Sequence, residues 1–232
     1  KIKLIDYECL TDRKGDRVIA FGRFAGIVGT HNGLMAYGER TGEFTFPRAH
    51  SFADLNELIA FYKTVQLPAL KIVITGGGKV AKGALEVMKE LNITKVTPET
   101  FVKDIFKEPV YTQLDSDLLY ERKDGHQQPI EDFFNHPEEY NCHFKPYYEA
   151  ADVMVNAVFW NPKAPVFFTR EEMKLKTFKI KTIAEISCDI EGSVPATLRA
   201  TTIDNPVMGY NPQTGKEEAP YLPNVIDIMS ID

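Results

Sequence analysis

The stretch that most restricts the fold runs from Lys71 to Leu91 and reads KIVITGGGKVAKGALEVMKEL. Its first part is a short continuous apolar run, which is typical of a strand buried on both faces of a parallel sheet. Three glycines follow, and after them apolar residues recur at helical spacing. The stretch therefore predicts a strand, a tight turn and a helix in direct succession.

The same alternation continues along the chain. Further strands are predicted for 93–97, 151–160 and 182–189, and a helix for 51–65 with Ser51 as its N-cap. Glycines spaced along 22–38 suggest a helix that packs closely against another backbone, or else one that a ligand approaches. Residues 109–146 show weak periodicity, and we interpret them as an irregular helical insertion after a strand. Strands that alternate with helices indicate an α/β fold with a parallel sheet.

The glycine turn carries a recognisable pattern, because Gly76, Gly78 and Ala81 match G-x-G-x-x-[G/A]. The first glycine permits the tight turn, the second admits a pyrophosphate close to the backbone, and the small third residue lets the helix rest on the strand. The position between an apolar strand and an amphipathic helix favours dinucleotide binding over a plain turn. A Walker A loop is excluded, since Val80 rather than Ser or Thr follows Lys79.

The sequence leaves the choice of dinucleotide open. In an NAD-binding fold a carboxylate about 20 residues beyond the turn binds the ribose hydroxyls. Thr97 occupies that position here, with Glu99 two residues later and Lys95 nearby. Both NAD and NADP therefore stay as candidate cofactors.

Composition excludes several other classes of protein. A net charge of −6 over 232 residues argues against nucleic-acid binding. The three cysteines are scattered, which suggests reduced thiols in the cytoplasm and gives no zinc signature. The histidines lack metal spacing as well, so no metal is expected. No apolar run approaches the roughly 18 residues of a membrane span.

Several stretches together resemble a known family. They are LIDYECLTDRKGDRVIAFGRFAGIVG, VITGGGKVAKGALEVMKEL, HPEEY, VNAVFW and ISCDIEGSVPATLRATTID. In this order they resemble the lysine–ketoglutarate reductase domain of α-aminoadipic semialdehyde synthase and the lysine-forming saccharopine dehydrogenases. The resemblance covers nearly the whole chain, and it extends more distantly to alanine dehydrogenase and to the nucleotide-binding part of transhydrogenase.

The resemblance implies a two-domain oxidoreductase that acts on the CH–NH group of amino acids. We expect a Rossmann-type doubly wound parallel sheet over 66–203. Parts of a second, smaller α/β domain would lie at both ends: 1–65 with a linking helix, and 204–232 as a return segment. The family joins lysine and 2-oxoglutarate through an imine, which NAD(P)H reduces reversibly to saccharopine. We therefore expect small-molecule substrates, and the resemblance is compatible with a homo-oligomer. Neither nucleic acid nor a membrane is expected as a partner.

The resemblance also assigns site residues. Asp189 would lie near the nicotinamide and the substrate, with capping of the next turn as the alternative. Arg17 would contact a substrate carboxylate, with a surface pair to Asp16 as the alternative. The expected cofactor-binding residues are Gly76, Gly78, Lys79, Val80, Ala81, Asn156, Ala157 and Ser187, together with Thr97, which is expected from its spacing beyond the glycine turn.

Two departures from the family pattern affect these expectations. The family's proton-transfer pair, a Lys and a His, lies upstream of LIDYE, where this chain begins, so we expect a fragment of a longer enzyme. Glu191 stands where members of the family have a small residue. Two alternatives therefore stay open: an alanine-dehydrogenase-like enzyme, and a nucleotide-binding module without catalysis.

Overall fold

The computed structural model describes residues 2–15 and 17–230 of the chain. The helices in this part are α1 (Gly22–Thr41), α2 (Leu55–Tyr62), α3 (Lys79–Glu90), α4 (Pro98–Lys103), α5 (Ser116–Leu119), α6 (Ile130–Asn135) and α7 (Lys145–Tyr148). The strands are β1 (Lys71–Thr75), β2 (Thr94–Lys95), β3 (Val110–Leu114), β4 (Tyr120–Arg122), β5 (Tyr140–Cys142), β6 (Val153–Asn156), β7 (Thr182–Glu185), β8 (Met208–Asn211), β9 (Lys216–Glu218) and β10 (Ile226–Met229). Short 3₁₀ turns cover Tyr7–Cys9, Ala49–Ser51, Pro137–Glu139 and Glu172–Lys174.

Eight of these strands form one sheet in the order β2-β3-β1-β6-β7-β10-β8-β9. The six strands from β2 to β10 run parallel, while β8 and β9 add an antiparallel edge. From β1 the chain passes first to β2 and β3 on one side and then to β6 and β7 on the other. The order therefore reverses between β1 and β6, as in a doubly wound sheet. The expected Rossmann-type α/β fold is confirmed.

Apolar packing covers both faces of the sheet, because side chains alternate sides along each strand. Ile72 and Ile74 pack under α1, α2 and α3, together with Leu34 and Met88. Val73 points to the other face, into a second cluster that includes Phe101, Tyr148, Met154, Phe168 and Ile183. With both faces buried, the carboxyl edge of the parallel strands is the part of the sheet open to a ligand.

Helices α1 and α3 touch backbone to backbone. A Cβ on Gly26 would overlap the carbonyl oxygen of Val80 and lie 3.0 Å from the amide nitrogen of Ala84. The close helix packing suggested by the spaced glycines is thus confirmed. It fixes α3, whose amino end lies at the carboxyl edge of the sheet.

Two local expectations are wrong. The segment 109–146 is not helical at its start, since Val110–Leu114 forms β3 beside β1, and Tyr120–Arg122 pairs with Tyr140–Cys142 as a separate two-stranded sheet. Helix α2 is capped by Asp54, whose carboxylate accepts the Glu57 amide at 2.9 Å, and not by Ser51. The nearer carboxylate forms the cap because α2 begins at Leu55.

The flanking segments contact the same sheet. Strands β8 to β10 come from the part of the chain after residue 203 and pair through β10 with β7. Helix α1 packs on α3 and on the sheet. The assignment of 1–65 and 204–232 to a second domain stays a prediction.

We expect Gly26→Ala to lower the free energy of unfolding by about 1–3 kcal/mol, because the added methyl group forces two backbones apart. Gly22→Ala is the matched control, since its Cβ would meet only the Lys79 side chain, at 3.2 Å, and Val80 further off. Helix propensity favours alanine at both positions. Urea denaturation measures both variants, and an equal effect of the two changes would contradict the packing argument.

Candidate nucleotide-binding site

A cavity of about 410 Å³ opens at the carboxyl edge of the sheet. Its walls come from three loops that follow β1, β3 and β6, namely 76–78, 115–116 and 157–161. Aromatic side chains of the segment after β3 close one side: Tyr120, Phe133 and Phe134. The cavity therefore lies at the reversal of strand order, where ligands bind in open α/β sheets.

Gly76 is required by the fold itself. Its φ of +94° lies in the left-handed region, which glycine adopts without a steric penalty. Its N–H donates to the Leu114 carbonyl at 2.8 Å, and a Cβ here would lie 2.8 Å from the Ala157 carbonyl oxygen. The first glycine thus ties the ends of β1, β3 and β6 together.

Gly78 has no such structural reason to be glycine. Its φ of −77° and ψ of −165° are ordinary extended values, and a Cβ built on it meets no atom within 4 Å. That Cβ would instead enter the cavity that Gly78 lines. The missing side chain therefore leaves room for something outside the protein.

The amino end of α3 adjoins this space. Gly78 is its N-cap, and no side chain caps the helix, so its first backbone N–H groups are available to an anion and the helix dipole favours one. Ala81 is fully buried against the core, while Lys79 is exposed and Val80 half-buried. This arrangement suits a phosphate group held by backbone amides.

Asp115 was missed by the sequence argument. It follows β3 directly, lines the cavity and is exposed. A Cβ on Gly77 would fall against its carboxylate, with Cγ at 2.7 Å. A carboxylate therefore stands beside the glycine turn, at the end of the strand adjacent to β1.

Thr97 lies elsewhere. It caps α4 by accepting the Thr100 amide at 3.2 Å, and it follows β2, which is separated from β1 by β3. The structure does not bring Thr97 to the cavity.

The signal that could have found Asp115 is the alternating run VYTQL followed at once by a carboxylate, inside the segment interpreted as an insertion.

Polar side chains meet beneath the cavity where β1, β6 and β7 end. Asn156 donates from Nδ2 to both carboxylate oxygens of Glu185 at 2.9 Å and to Ser193 Oγ at 2.8 Å. Its Oδ1 accepts the Thr75 hydroxyl at 2.8 Å, and Ser187 Oγ donates to Glu185. We call these five residues the strand-end network. The expected site residues Asn156 and Ser187 belong to it.

The pKa of Glu185 is raised to about 7, chiefly by burial and to a smaller extent by the nearby Asp189 carboxylate, while hydrogen bonds from Ser187 and Asn156 oppose the rise. Its side chain is 1% exposed. The group therefore changes charge near neutral pH while it stays inside the protein.

The loop after β7 carries Asp189 in a strained backbone. Cys188 and Glu191 have φ values of 57° and 52°, which non-glycine residues adopt at a cost. The Gly192 amide donates to the Asp189 carbonyl at 3.0 Å, and Glu191 pairs with Arg170. Asp189 is half-buried at the end of this loop, above Glu185.

Arg17 is not among the residues that line the cavity. It is exposed in the segment before α1, where it pairs with Glu8 at 3.9 Å and bridges to Thr11. Asp16, its alternative partner, lies outside the described residues. A role for Arg17 at a substrate carboxylate stays a prediction.

The fold places the chain among Rossmann-type α/β proteins. Its relatives include the α-aminoadipic semialdehyde synthase of Arabidopsis thaliana, which is 29% identical in an alignment that covers 91% of this chain and 24% of that protein. The saccharopine dehydrogenase [NAD(+), L-lysine-forming] of Neurospora crassa is 26% identical in an alignment that covers 99% of this chain and 54% of that protein. An L-alanine dehydrogenase of known structure aligns with a TM-score of 0.48 and 14% identity, over 98% of this chain and 51% of its own. No protein-family model matches.

The resemblance stated from the sequence is confirmed: the chain is homologous to part of the named synthases and dehydrogenases. It spans about a quarter of the length of the former, 24%, and about half of the latter, 54%. The rat relative is named as mitochondrial, so a cytoplasmic location stays a prediction. Among the helices described, none is long and apolar enough to span a membrane.

We expect Gly76→Ala and Gly78→Ala to differ sharply in stability. The first change forces a left-handed backbone and a contact with Ala157, and should cost about 1–3 kcal/mol. The second places a methyl group in open space and should alter the free energy of unfolding by less than about 1 kcal/mol. Urea denaturation of both variants gives the comparison. Similar losses at the two positions would show that Gly78 also serves the fold.

Proposed function

We propose that the cavity binds NAD(P), with the pyrophosphate on the backbone amides of residues 78–81. The observation that carries this proposal is Gly78, a glycine whose missing side chain opens the cavity although its backbone needs no glycine. The uncapped amino end of α3 supplies donors for the phosphates. The glycine pattern accounts for both features.

The position of Asp115 indicates which way the dinucleotide would lie in the cavity. A carboxylate at the end of the strand next to β1 would accept hydrogen bonds from the adenosine ribose. The aromatic side of the cavity adjoins it: Tyr120 and Phe133 stack at 4.1 Å, and Phe134 is 60% exposed. Apolar and aromatic walls suit an adenine ring. The nicotinamide half would then extend the other way, over the ends of β6 and β7 toward Asp189.

The same carboxylate favours NAD over NADP. A 2′-phosphate on the ribose would place two like charges close together, which disfavours binding. The name of the fungal relatives, which carries NAD(+), agrees with this preference.

We propose further that the chain is part of an oxidoreductase acting on the CH–NH group of an amino acid, of the saccharopine dehydrogenase type. The homologues support this class. When bound, the nicotinamide supplies or accepts the hydride. The residues of the chain would bind the phosphates and place Asp189 beside the reacting carbon and nitrogen, where a carboxylate can orient an amine or stabilise an iminium. The flanks 1–65 and 204–232 would contribute to the substrate domain.

Steady-state assays test the reaction. Oxidation of NADH with lysine plus 2-oxoglutarate is compared with oxidation of NADH with pyruvate plus ammonia. Activity with the first pair supports saccharopine chemistry, and activity with the second alone replaces it with an alanine-type reaction. Tight NADH binding without either activity, measured on the natural full-length protein, identifies a nucleotide-binding module.

Gly78→Val should abolish NADH binding and leave the fold intact. Trp160 is the chain's one tryptophan and lines the cavity, so energy transfer from it to bound NADH reports occupancy directly. We expect at least a hundredfold loss of affinity, about 2.7 kcal/mol, because the branched side chain fills the phosphate position. Ala53→Val, at an exposed position outside the cavity, is the matched control. Unchanged affinity in a folded Gly78→Val variant would refute the proposed phosphate position.

Asp115→Asn should reduce the preference for NADH over NADPH by at least about tenfold, or ~1.4 kcal/mol. The change removes the charge that repels a 2′-phosphate and keeps the size of the side chain. Asp117→Asn, two residues away on the wall of a neighbouring cavity, should leave the ratio of the two dissociation constants unchanged. An unaltered ratio in Asp115→Asn would remove this residue from cofactor selection.

A further inference from the structure

We propose that Glu185 sets the balance between oxidised and reduced cofactor by gaining or losing a proton within the strand-end network. The inference rests on the proposed function, because it concerns the nicotinamide half of the dinucleotide. It assigns a role to a buried carboxyl group that the phosphate turn and Asp189 leave unexplained.

The first support is the burial of Glu185 without a cation. In the part of the chain that the structure describes, no ion pair involves this carboxyl group, and its side-chain partners are the neutral Asn156 and Ser187. A buried carboxylate normally requires a counter-charge. Among the residues described, the charge of this carboxylate is therefore not balanced, and a positive charge held close to it by a bound ligand would stabilise it.

The charged groups on neighbouring elements do not supply it. Arg40 on α1 pairs with Asp227 on β10 at 3.0 Å, and Arg170 pairs with Glu191. Asp189, from the loop above, has the same sign as Glu185 and raises its pKa. Strands β1 and β6 contribute Thr75 and Asn156, which are neutral.

The second support is position. Glu185 ends β7, and Asn156, to which it is bonded, ends β6. With the adenosine half beside β3, the nicotinamide half crosses these two strand ends. The oxidised nicotinamide ring carries one positive charge and the reduced ring carries none. A charged Glu185 would therefore stabilise the oxidised form selectively, and a protonated Glu185 would not.

The direction of the pH dependence follows. The pKa of Glu185 lies at about 7, above its ordinary value, so the group is protonated below neutral pH and charged above it. NAD⁺ should gain affinity relative to NADH as the pH rises, and its binding should release a proton. One titrating group limits the change to about tenfold per pH unit.

The decisive experiment measures dissociation constants for NAD⁺ and NADH at pH 6 and pH 8 by calorimetry. In the wild-type protein we expect the ratio of the NAD⁺ constant to the NADH constant to fall about three- to tenfold between these pH values. Glu185→Gln keeps the shape of the side chain without the titration, and its ratio should stay constant. Asp189→Asn should keep the dependence with a lower midpoint, because the neighbouring negative charge is removed.

A measurement without cofactor checks the same group. A folded-state pKa above the unfolded value contributes stability below the unfolded pKa, and this contribution is lost as the pH rises through about 7. The free energy of unfolding of Glu185→Gln minus that of the wild type should therefore increase from pH 5 to pH 8. If Glu185→Gln does not fold, Ser187→Ala serves instead: it removes a hydrogen bond that lowers the pKa, so the midpoint of the binding ratio should rise.

The outcomes separate the two proposals. A wild-type protein that binds neither form of the cofactor refutes the proposed function. A protein that binds both forms with a ratio independent of pH overturns the role of Glu185 and leaves the function intact. A pH dependence that persists in Glu185→Gln, or that disappears in Asp189→Asn, overturns it as well.

Discussion

The structure depends on the contact between the turn at Gly76 and the ends of three parallel strands. A left-handed glycine lets the chain leave β1, bond to the end of β3 and pass under Ala157 after β6. Helix α3 then begins at the carboxyl edge, where its uncapped amides face the cavity. The backbone contact of α1 with α3 holds that helix in place, so the position of its amino end beside the cavity is set both by the turn and by helix packing.

The buried polar groups at this edge are of two kinds: some are explained by the fold alone, and others suggest a function. Thr75 and Asn156 satisfy one another within the sheet, as buried polar groups must. Glu185 is hydrogen-bonded, but no cation pairs with it among the residues that the structure describes, and Asp189 lies near it in a strained loop. Strain and uncompensated charge tend to collect at functional sites, and here both occur at the end of β7, on the other side of β1 from Asp115.

The homologues and the geometry support different parts of the proposal. The relatives are named for chemistry on saccharopine and α-aminoadipic semialdehyde, and they indicate the class of reaction. The cavity supports the proposal of how the chain would hold a dinucleotide and which half would lie on which strands. Neither source alone would place the nicotinamide over Glu185: the homologues give no geometry, and the geometry gives no reaction.

The sequence by itself determined the local units. The apolar run before Gly76, the glycine pattern and the helical stripe after it predicted β1, the turn and α3, because each depends on residues close together in the chain. The homologous stretches gave the family resemblance for the same reason.

Only the tertiary structure decided which strand lies beside β1. Spacing along the chain pointed to Thr97, but β2 pairs outside β3, and so the carboxylate beside the turn is Asp115. Strand order depends on pairing between distant segments, which local patterns do not encode. The raised pKa of Glu185 also depends on the tertiary structure. It arises from burial at a point where the fold brings three strand ends together.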